Sequence, residues 1–341
     1  KGDKGDKMNF ELVTREEKIE KGISPYVTFP ITKACTLKCQ YCGDGGEMSL
    51  CDKEQFKKED LFEWHKEARK LGIEKFRITG GEPLLHKDFT EIVETIAKDA
   101  SYVLVNSNGT LIKKYKEKWI NLPRNVHFVV NYHANDEETY NKVTCTENYY
   151  KDVKEGIKLL VKEGMLHRVN TVYCDNTKEQ IYDIIDFCRG LGIGLKIQDV
   201  VSVPWQFDEW EDIYVDTTDL EKEFTEKASL IVDHKYAKGF GTPSKIFTID
   251  GVNVTLKSVR NGSHYEMNDV CSKCEYYPCH EGIYDLFVFP DNTAAACNWV
   301  DVSRAPFTDK HEQLEWLIDK FRKSEYVEAS DRIKGMYKKE N

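Results

Sequence analysis

The sequence predicts an α/β protein: a parallel sheet covered by helices and curled into part of a barrel, followed by a cysteine-bearing C-terminal extension. Three observations predict it. Short β-branched runs alternate with amphipathic helical runs from Val27 to near Val201. Gly, Asn and Pro punctuate the ends of the strand-like runs. Beyond Trp205 the alternation stops, and a hairpin signal and spaced cysteines take its place.

Taken in order, residues 26–32 form the first strand. Residues 59–71 form a helix, with Leu61, Phe62, Trp64, Ala68 and Leu71 close to a helical repeat and Gly72 as its stop. Residues 75–79 are a strand running into Gly80-Gly81-Glu82-Pro83. A helix over 89–97, a buried strand over 102–106, a helix over 112–120 and a strand over 126–132 follow. Helix 153–163, strand 167–173, helix 179–189 and strand 195–200 complete six strand–helix units. Six units fall short of a closed eight-unit barrel and leave a lateral opening, a partial (β/α)6 TIM-like barrel. The expected division is an N-terminal extension over 1–24, the barrel over 25–204, and a linker, cysteine domain and C-terminal helices over 205–341.

With 40% hydrophobic and 32% charged residues, the 341-residue chain suits a soluble globular protein. Nothing approaches the ~20 apolar residues of a membrane helix, and no secretory segment opens the chain, so a cytoplasmic protein without a membrane partner is expected. The formal charge of −10 argues against a nucleic-acid partner, which calls for a basic stripe. In that setting eleven cysteines point to metal rather than to disulfides.

The loop after the first strand carries Cys35, Cys39 and Cys42, spaced x3 then x2. A zinc site usually pairs two CxxC units or a CxxC with histidines. Three ligands in one short loop instead suit a [4Fe–4S] cube with one iron left open for a chelating molecule. The triplet resembles the signature of the radical S-adenosylmethionine (radical SAM) family, in which the methionyl group of SAM fills that position. The resemblance implies that one electron from the cluster cleaves SAM and that the 5′-deoxyadenosyl radical takes a substrate hydrogen, with flavodoxin or ferredoxin as reductant. It also places Tyr41 beside the adenine. The polar stretch 43–48 that follows the loop is expected to lie over the cluster.

Gly80, Gly81, Glu82 and Pro83 resemble the family's GGEP motif, whose glycines let the backbone approach a ligand and whose carboxylate can accept from the SAM ammonium. Asn106, Ser107 and Asn108 resemble its TNG turn, and Asn131 and Asn170, at or near later strand ends, are further candidate SAM contacts. His133, on the same rim, reads as a solvated polar residue. Cys145, after the fourth strand, is a candidate hydrogen donor to a substrate radical, while Cys188 reads as core.

In the C-terminal third, residues 246–256 read as a hairpin turning at Asp250-Gly251. A second hairpin around Pro290 to Asn292 returns Cys297 toward Cys271, Cys274 and Cys279. Four such cysteines make a zinc ribbon or an auxiliary [4Fe–4S] cluster, and cysteines alone leave both open. The arrangement resembles the Twitch or SPASM extensions of radical SAM enzymes, and most of all the GTP cyclase family of molybdenum-cofactor synthesis, which implies two clusters. Two departures predict against GTP cyclisation: no arginine follows the CxxC over 275–280, and the chain ends Lys338-Lys339-Glu340-Asn341 rather than in a double glycine. If Cys279 is free, the fourth auxiliary iron is open to substrate. Only about 25 residues precede the first strand, too few for a typical peptide-binding domain, which favours a small nucleoside- or sugar-like metabolite over a ribosomal peptide. A non-catalytic zinc protein is the alternative of another class.

Overall fold

The computed structural model describes residues 25–42, 55–200, 212–234, 244–257, 263–274, 283–298 and 301–328. Six parallel strands lie side by side in chain order: β1 (Tyr26–Thr32), β2 (Lys75–Gly80), β3 (Tyr102–Ser107), β4 (Val126–Asn131), β5 (Leu166–Tyr173) and β6 (Leu195–Asp199). Helices α1 (Lys58–Lys70), α2 (Phe89–Ala97), α3 (Glu137–Thr144), α4 (Tyr150–Lys162) and α5 (Ile181–Leu191) lie in the crossovers. Strand alternation sorts the side chains. Val27, Phe29, Ile31, Phe76, Ile78, Val103, Val105, Phe128 and Val130 belong to one buried core together with Trp64, Ile92, Ile96, Ile157 and Leu160 of the helices. Phe29 stacks on Phe76 at 6.2 Å and meets Phe56 edge-on at 5.9 Å, a fully buried cluster worth about 2–3 kcal/mol per ring.

The C-terminal third rejoins this sheet at both edges. β11 (Asp285–Val288) pairs parallel with β1, and β9 (Val252–Lys257) pairs parallel with β6. Antiparallel strands β12 (Ala294–Ala295), β8 (Ser244–Ile249) and β7 (Leu230–His234) extend it further. The full order is β12-β11-β1-β2-β3-β4-β5-β6-β9-β8-β7, an open sheet of eleven strands among the described residues, while β10 (Ser263–Glu266) and β13 (Glu325–Glu328) pair with each other apart from it. The predicted hairpin is present as β8 and β9, and its Asp250 and Gly251 both take positive φ, 48° and 82°. The partial barrel is therefore the predicted one, widened at each edge by a strand from far along the chain. The expected boundary at 204/205 lies outside the described residues.

The helix expected over 112–120 is absent: a 3-10 turn at Lys116–Lys118 is the only helical piece there. The Trp119 indole N–H donates to the Ile112 carbonyl at 2.7 Å, and a Cβ on Gly156 of α4 would lie 3.0 Å from Ile112 Cβ. The segment is folded down onto α4, and that close approach overrides its periodicity.

Candidate active site

The three sequence motifs meet at the C-terminal ends of β1, β2 and β3. Beyond Thr32 the chain turns into the cysteine loop, in which Cys35 and Cys42 are exposed and Cys39 is half-buried. On one side the Gly81 N–H donates to the Thr32 carbonyl at 2.7 Å and the Glu82 N–H to the Ala34 carbonyl at 2.8 Å. A Cβ at position 81 would sit 2.4 Å from the Ala34 oxygen, so only glycine permits this contact. On the other side Lys38 and Gln40 donate backbone N–H groups to the Thr144 and Val143 carbonyls at 3.0 and 3.1 Å, which anchors the loop to the end of α3.

Glu82 is fully buried. Its carboxylate accepts from the Ser107 hydroxyl at 3.0 Å on both oxygens, from the Asn108 N–H at 2.8 Å and from the Leu84 N–H at 3.2 Å. Burial pushes its pKa up to about 7, and these hydrogen bonds pull against that rise. The carboxylate thus faces its own chain and ties the GGEP turn to the Asn106–Asn108 turn. Asn108 carries the tie onward: its Nδ2 donates to Thr36 Oγ1 at 3.0 Å and to Cys35 Sγ at 3.4 Å. Burial raises the Cys35 thiol above its usual range and pushes Cys39 up to about 12, so in the metal-free protein both are held as thiols. Metal binding must displace those protons. Among the described residues no three His, Cys, Asp or Glu side chains close on a single ion. A loop built around a cube, with each thiolate on a different iron, has no need to do so.

Asn131 and Asn170 occupy one rung of the β4–β5 ladder, and Asn170 Oδ1 accepts from Arg168 Nε at 3.0 Å. His133 corrects the sequence reading, since it is buried, not solvated. Its Nδ1 accepts from the Val172 N–H at 3.3 Å and its Nε2 lies 2.5 Å from the Tyr41 hydroxyl. Burial holds its pKa down to about 3, so the ring is neutral. Cys145 is exposed, caps α3 with φ 49°, and is close enough to Cys39 to bear on that thiol's ionisation. Cys188 lies in the core as expected, and Cys174 is buried separately from it, packed with Val172 and Val200.

Inside the curled sheet, toward the N-terminal strand ends, sits a polar group that the sequence reading did not single out. Asp285, fully buried, pairs with Arg77 and accepts from Thr28 Oγ1 at 2.7 Å. Burial raises its pKa, while Arg77, Lys75 and Lys196 act to lower it. The Arg77 guanidinium lies 5.1 Å over the Tyr26 ring, and Arg168 acts on the same tyrosine. The signal was present in Lys75-Phe-Arg77, two cations two apart in a strand and therefore on one face.

Strand register leads the chain toward Cys297 at this end. Tyr26 is opposite Asp285 and Phe287 is opposite Ala295, so β12 runs toward the N-terminal ends of the parallel strands, and Cys297 follows two residues beyond it. Ser303 Oγ donates to the Cys297 carbonyl at 2.9 Å and accepts from its N–H at 3.2 Å. The short helix Asn268–Cys271 packs on the turn Asp301–Ser303. Cys271 and Cys297 thus share a neighbourhood, with Cys274 one turn on, its N–H donating to the Cys271 carbonyl. Cys279, residues 43–48 and the arginine-free stretch 275–280 lie outside the described residues.

Fold and site together define an enzyme of the radical SAM superfamily, and the chain belongs to it: residues 29–188 match the superfamily's family model. A probable GTP 3′,8-cyclase of Methanococcus maripaludis strain C6 is 30% identical over 226 residues, 66% of this chain and 72% of the relative. In fold the chain is similar to Streptococcus suis SuiB bound to its precursor peptide SuiA, with TM-score 0.55, 16% identity, and coverage of 83% of this chain and 62% of SuiB. It is also similar to native anSMEcpe with bound AdoMet, with TM-score 0.53, 16% identity, and coverage of 87% and 82%.

Proposed function

We propose that this radical SAM enzyme binds its catalytic [4Fe–4S] cluster through Cys35, Cys39 and Cys42 and acts on a small anionic metabolite of nucleotide type. The observation that carries the first part is the hydrogen-bonded joining of the three motifs: Thr32 and Ala34 to Gly81 and Glu82, Glu82 to Ser107 and Asn108, and Asn108 to Cys35. The donor set fits an iron–sulfur cluster, with three thiols and an amide aimed at one sulfur. When bound, the cluster supplies the electron that cleaves SAM and so yields the 5′-deoxyadenosyl radical.

The chain's own work is placement. The glycines at 80 and 81 would let the backbone meet the SAM amino acid. Glu82, facing inward, acts by holding both turns, and Pro83 begins the 3-10 turn that follows it. Tyr41, Asn106, Asn131 and Asn170 are the remaining candidates for adenine, ribose and carboxylate. Lys75, Arg77, Arg168 and Lys196, which act on Asp285 and Tyr26 inside the sheet, support the substrate class as cations that an anionic ligand could meet. Cys145 would return a hydrogen from the rim. Cys271, Cys274, Cys279 and Cys297 would hold an auxiliary [4Fe–4S] cluster at the opposite end, and a flavodoxin or ferredoxin would supply electrons.

The test is anaerobic reconstitution with iron and sulfide analysis, then dithionite and SAM with chromatography for 5′-deoxyadenosine. About eight irons per chain and deoxyadenosine, lost in Cys39→Ala, are expected for two clusters. Nucleoside phosphates should accelerate deoxyadenosine formation where the matching nucleosides and a peptide do not. Zinc without iron, or no SAM cleavage, would overturn the reading.

A further inference from the structure

The fifth strand carries one residue more than its neighbour requires. Between the pairs Phe128–Leu166 and Val129–Arg168, β4 advances by one residue and β5 by two, so His167 is an inserted, bulged residue. Adjacent residues of a regular strand point to opposite faces, and a bulge relaxes that alternation. His167 and Arg168 both reach the same polar chain. The Tyr102 hydroxyl lies 3.0 Å from His167 Nδ1, Arg168 donates from a terminal nitrogen to His167 Nε2 at 3.1 Å, and Arg168 Nε donates to Asn170 Oδ1 at 3.0 Å.

A guanidinium only donates, so His167 Nε2 is an acceptor. Burial, with Arg168 beside it, holds the His167 pKa down to about 3, so the ring is neutral and carries its one proton on Nδ1. That Nδ1–H donates to the Tyr102 oxygen. The phenol's own proton must point elsewhere, and among the described residues no acceptor meets it. Asp285, the buried acid of this region, is taken by Thr28 and Arg77.

The hydroxyl belongs to the inside of the curled sheet. Tyr102 shares a rung with Lys75 and Tyr26; its ring stacks on His127 at 4.9 Å and meets Tyr26 edge-on at 6.5 Å. Lys75 Nζ and the Arg77 guanidinium each lie 5.1 Å over the Tyr26 ring. Tyr102, His127, His167 and Arg168 are partly accessible, whereas Val103, Phe128 and Val169, their neighbours on the helix side, are fully buried. A donor without an acceptor, on an accessible wall beside cations, fits an anionic oxygen.

We propose that Tyr102 is a substrate-binding residue that donates its hydroxyl proton to a phosphate oxygen, and that His167 is the positioning residue that turns this proton toward the interior of the sheet. The inference rests on the proposed nucleotide-type substrate. It adds to the cations a neutral donor of fixed direction.

The experiment is a titration of the reconstituted enzyme with GTP, ATP, CTP or UTP, reading 5′-deoxyadenosine formed with SAM and dithionite. For the nucleotide that accelerates it, Tyr102→Phe should raise the half-saturating concentration about 10-fold or more, while the rate at saturation falls far less. His167→Leu should raise it too, and the double variant no further than Tyr102→Phe alone, since His167 acts through that hydroxyl. His167→Asn, with an amide N–H in place of Nδ1–H, should lie nearer the wild type than His167→Leu. Site-specific 3-fluorotyrosine at position 102, followed by fluorine NMR, should give a resonance that moves with the nucleotide and not with the matching nucleoside, and decides the matter if Tyr102→Phe does not fold. An unchanged half-saturating concentration in Tyr102→Phe, or a resonance unmoved by the nucleotide, would overturn the role of Tyr102 and leave the substrate class standing. Additive effects of the two substitutions would overturn the role of His167. Acceleration by none of these nucleotides in the wild type would overturn the substrate class and this inference with it.

Discussion

Replacing Glu82 by Gln isolates the cost of holding a carboxylate in the join between the motifs. In the folded protein the Glu82 pKa is about 7, against about 4.5 for the free side chain. The folded state therefore binds more protons between these values, and Glu82 takes stability away as pH rises through them. A shift of this size is worth about 3 kcal/mol in full, and about 2 kcal/mol of it falls between about pH 5.5 and about pH 8.5. Gln carries no such charge, but one of its two positions becomes an NH2 facing the Asn108 or Leu84 N–H, a loss of about 1–3 kcal/mol that does not depend on pH. Denaturant unfolding of both proteins across that range should show the variant gaining on the wild type by about 2 kcal/mol as pH rises, whatever the offset between the two curves. A difference that stays flat with pH would refute the buried, ionisable carboxylate.

Gly81→Ala places a Cβ 2.4 Å from the Ala34 oxygen, and we expect a loss of about 1–3 kcal/mol in urea unfolding together with reduced iron loading. Asn108→Ala removes the amide from Cys35 and Thr36, and should weaken SAM binding in calorimetry of the reconstituted protein more than it lowers global stability. Asp285→Ala leaves Arg77 facing Lys75 and Lys196 without its acid, and should cost about 3–5 kcal/mol in the same unfolding assay. Cys145→Ser should spare deoxyadenosine formation and block completion of the reaction, read as deoxyadenosine formed without product.

The barrel and its rim were legible because their signals are local. The cysteine spacing, the GGEP turn and the Asn106–Asn108 turn each lie within a few residues, and alternation places all three at strand ends. Other features depend on contacts between distant segments. Glu82 reads as a ligand-facing acid until Ser107 and Asn108 are seen to enclose it. His133 reads as a surface residue because nothing nearby announces Tyr41, 92 positions earlier in the chain. The strands at the sheet edges were hidden for the same reason: periodicity reveals that β11 is a strand, but not that β1 is its neighbour. The helix expected over 112–120 failed where Gly156 admits a close crossing that propensity does not register.

The late arrival of β9 and β11 bears on how the molecule is made. When β6 has left the ribosome, β1 and β6 are still bare edges, each a row of unpaired backbone groups able to recruit another chain. At about 5–20 residues per second, the roughly 90 residues through the end of β11 take roughly 5–20 s to appear. Through that interval the nascent sheet is exposed at both flanks, and Asp285, which pairs with Arg77 and Thr28, does not yet exist. Slower elongation across that stretch, or loss of a chaperone that shields strand edges, should lower the yield of folded protein more than any single surface substitution.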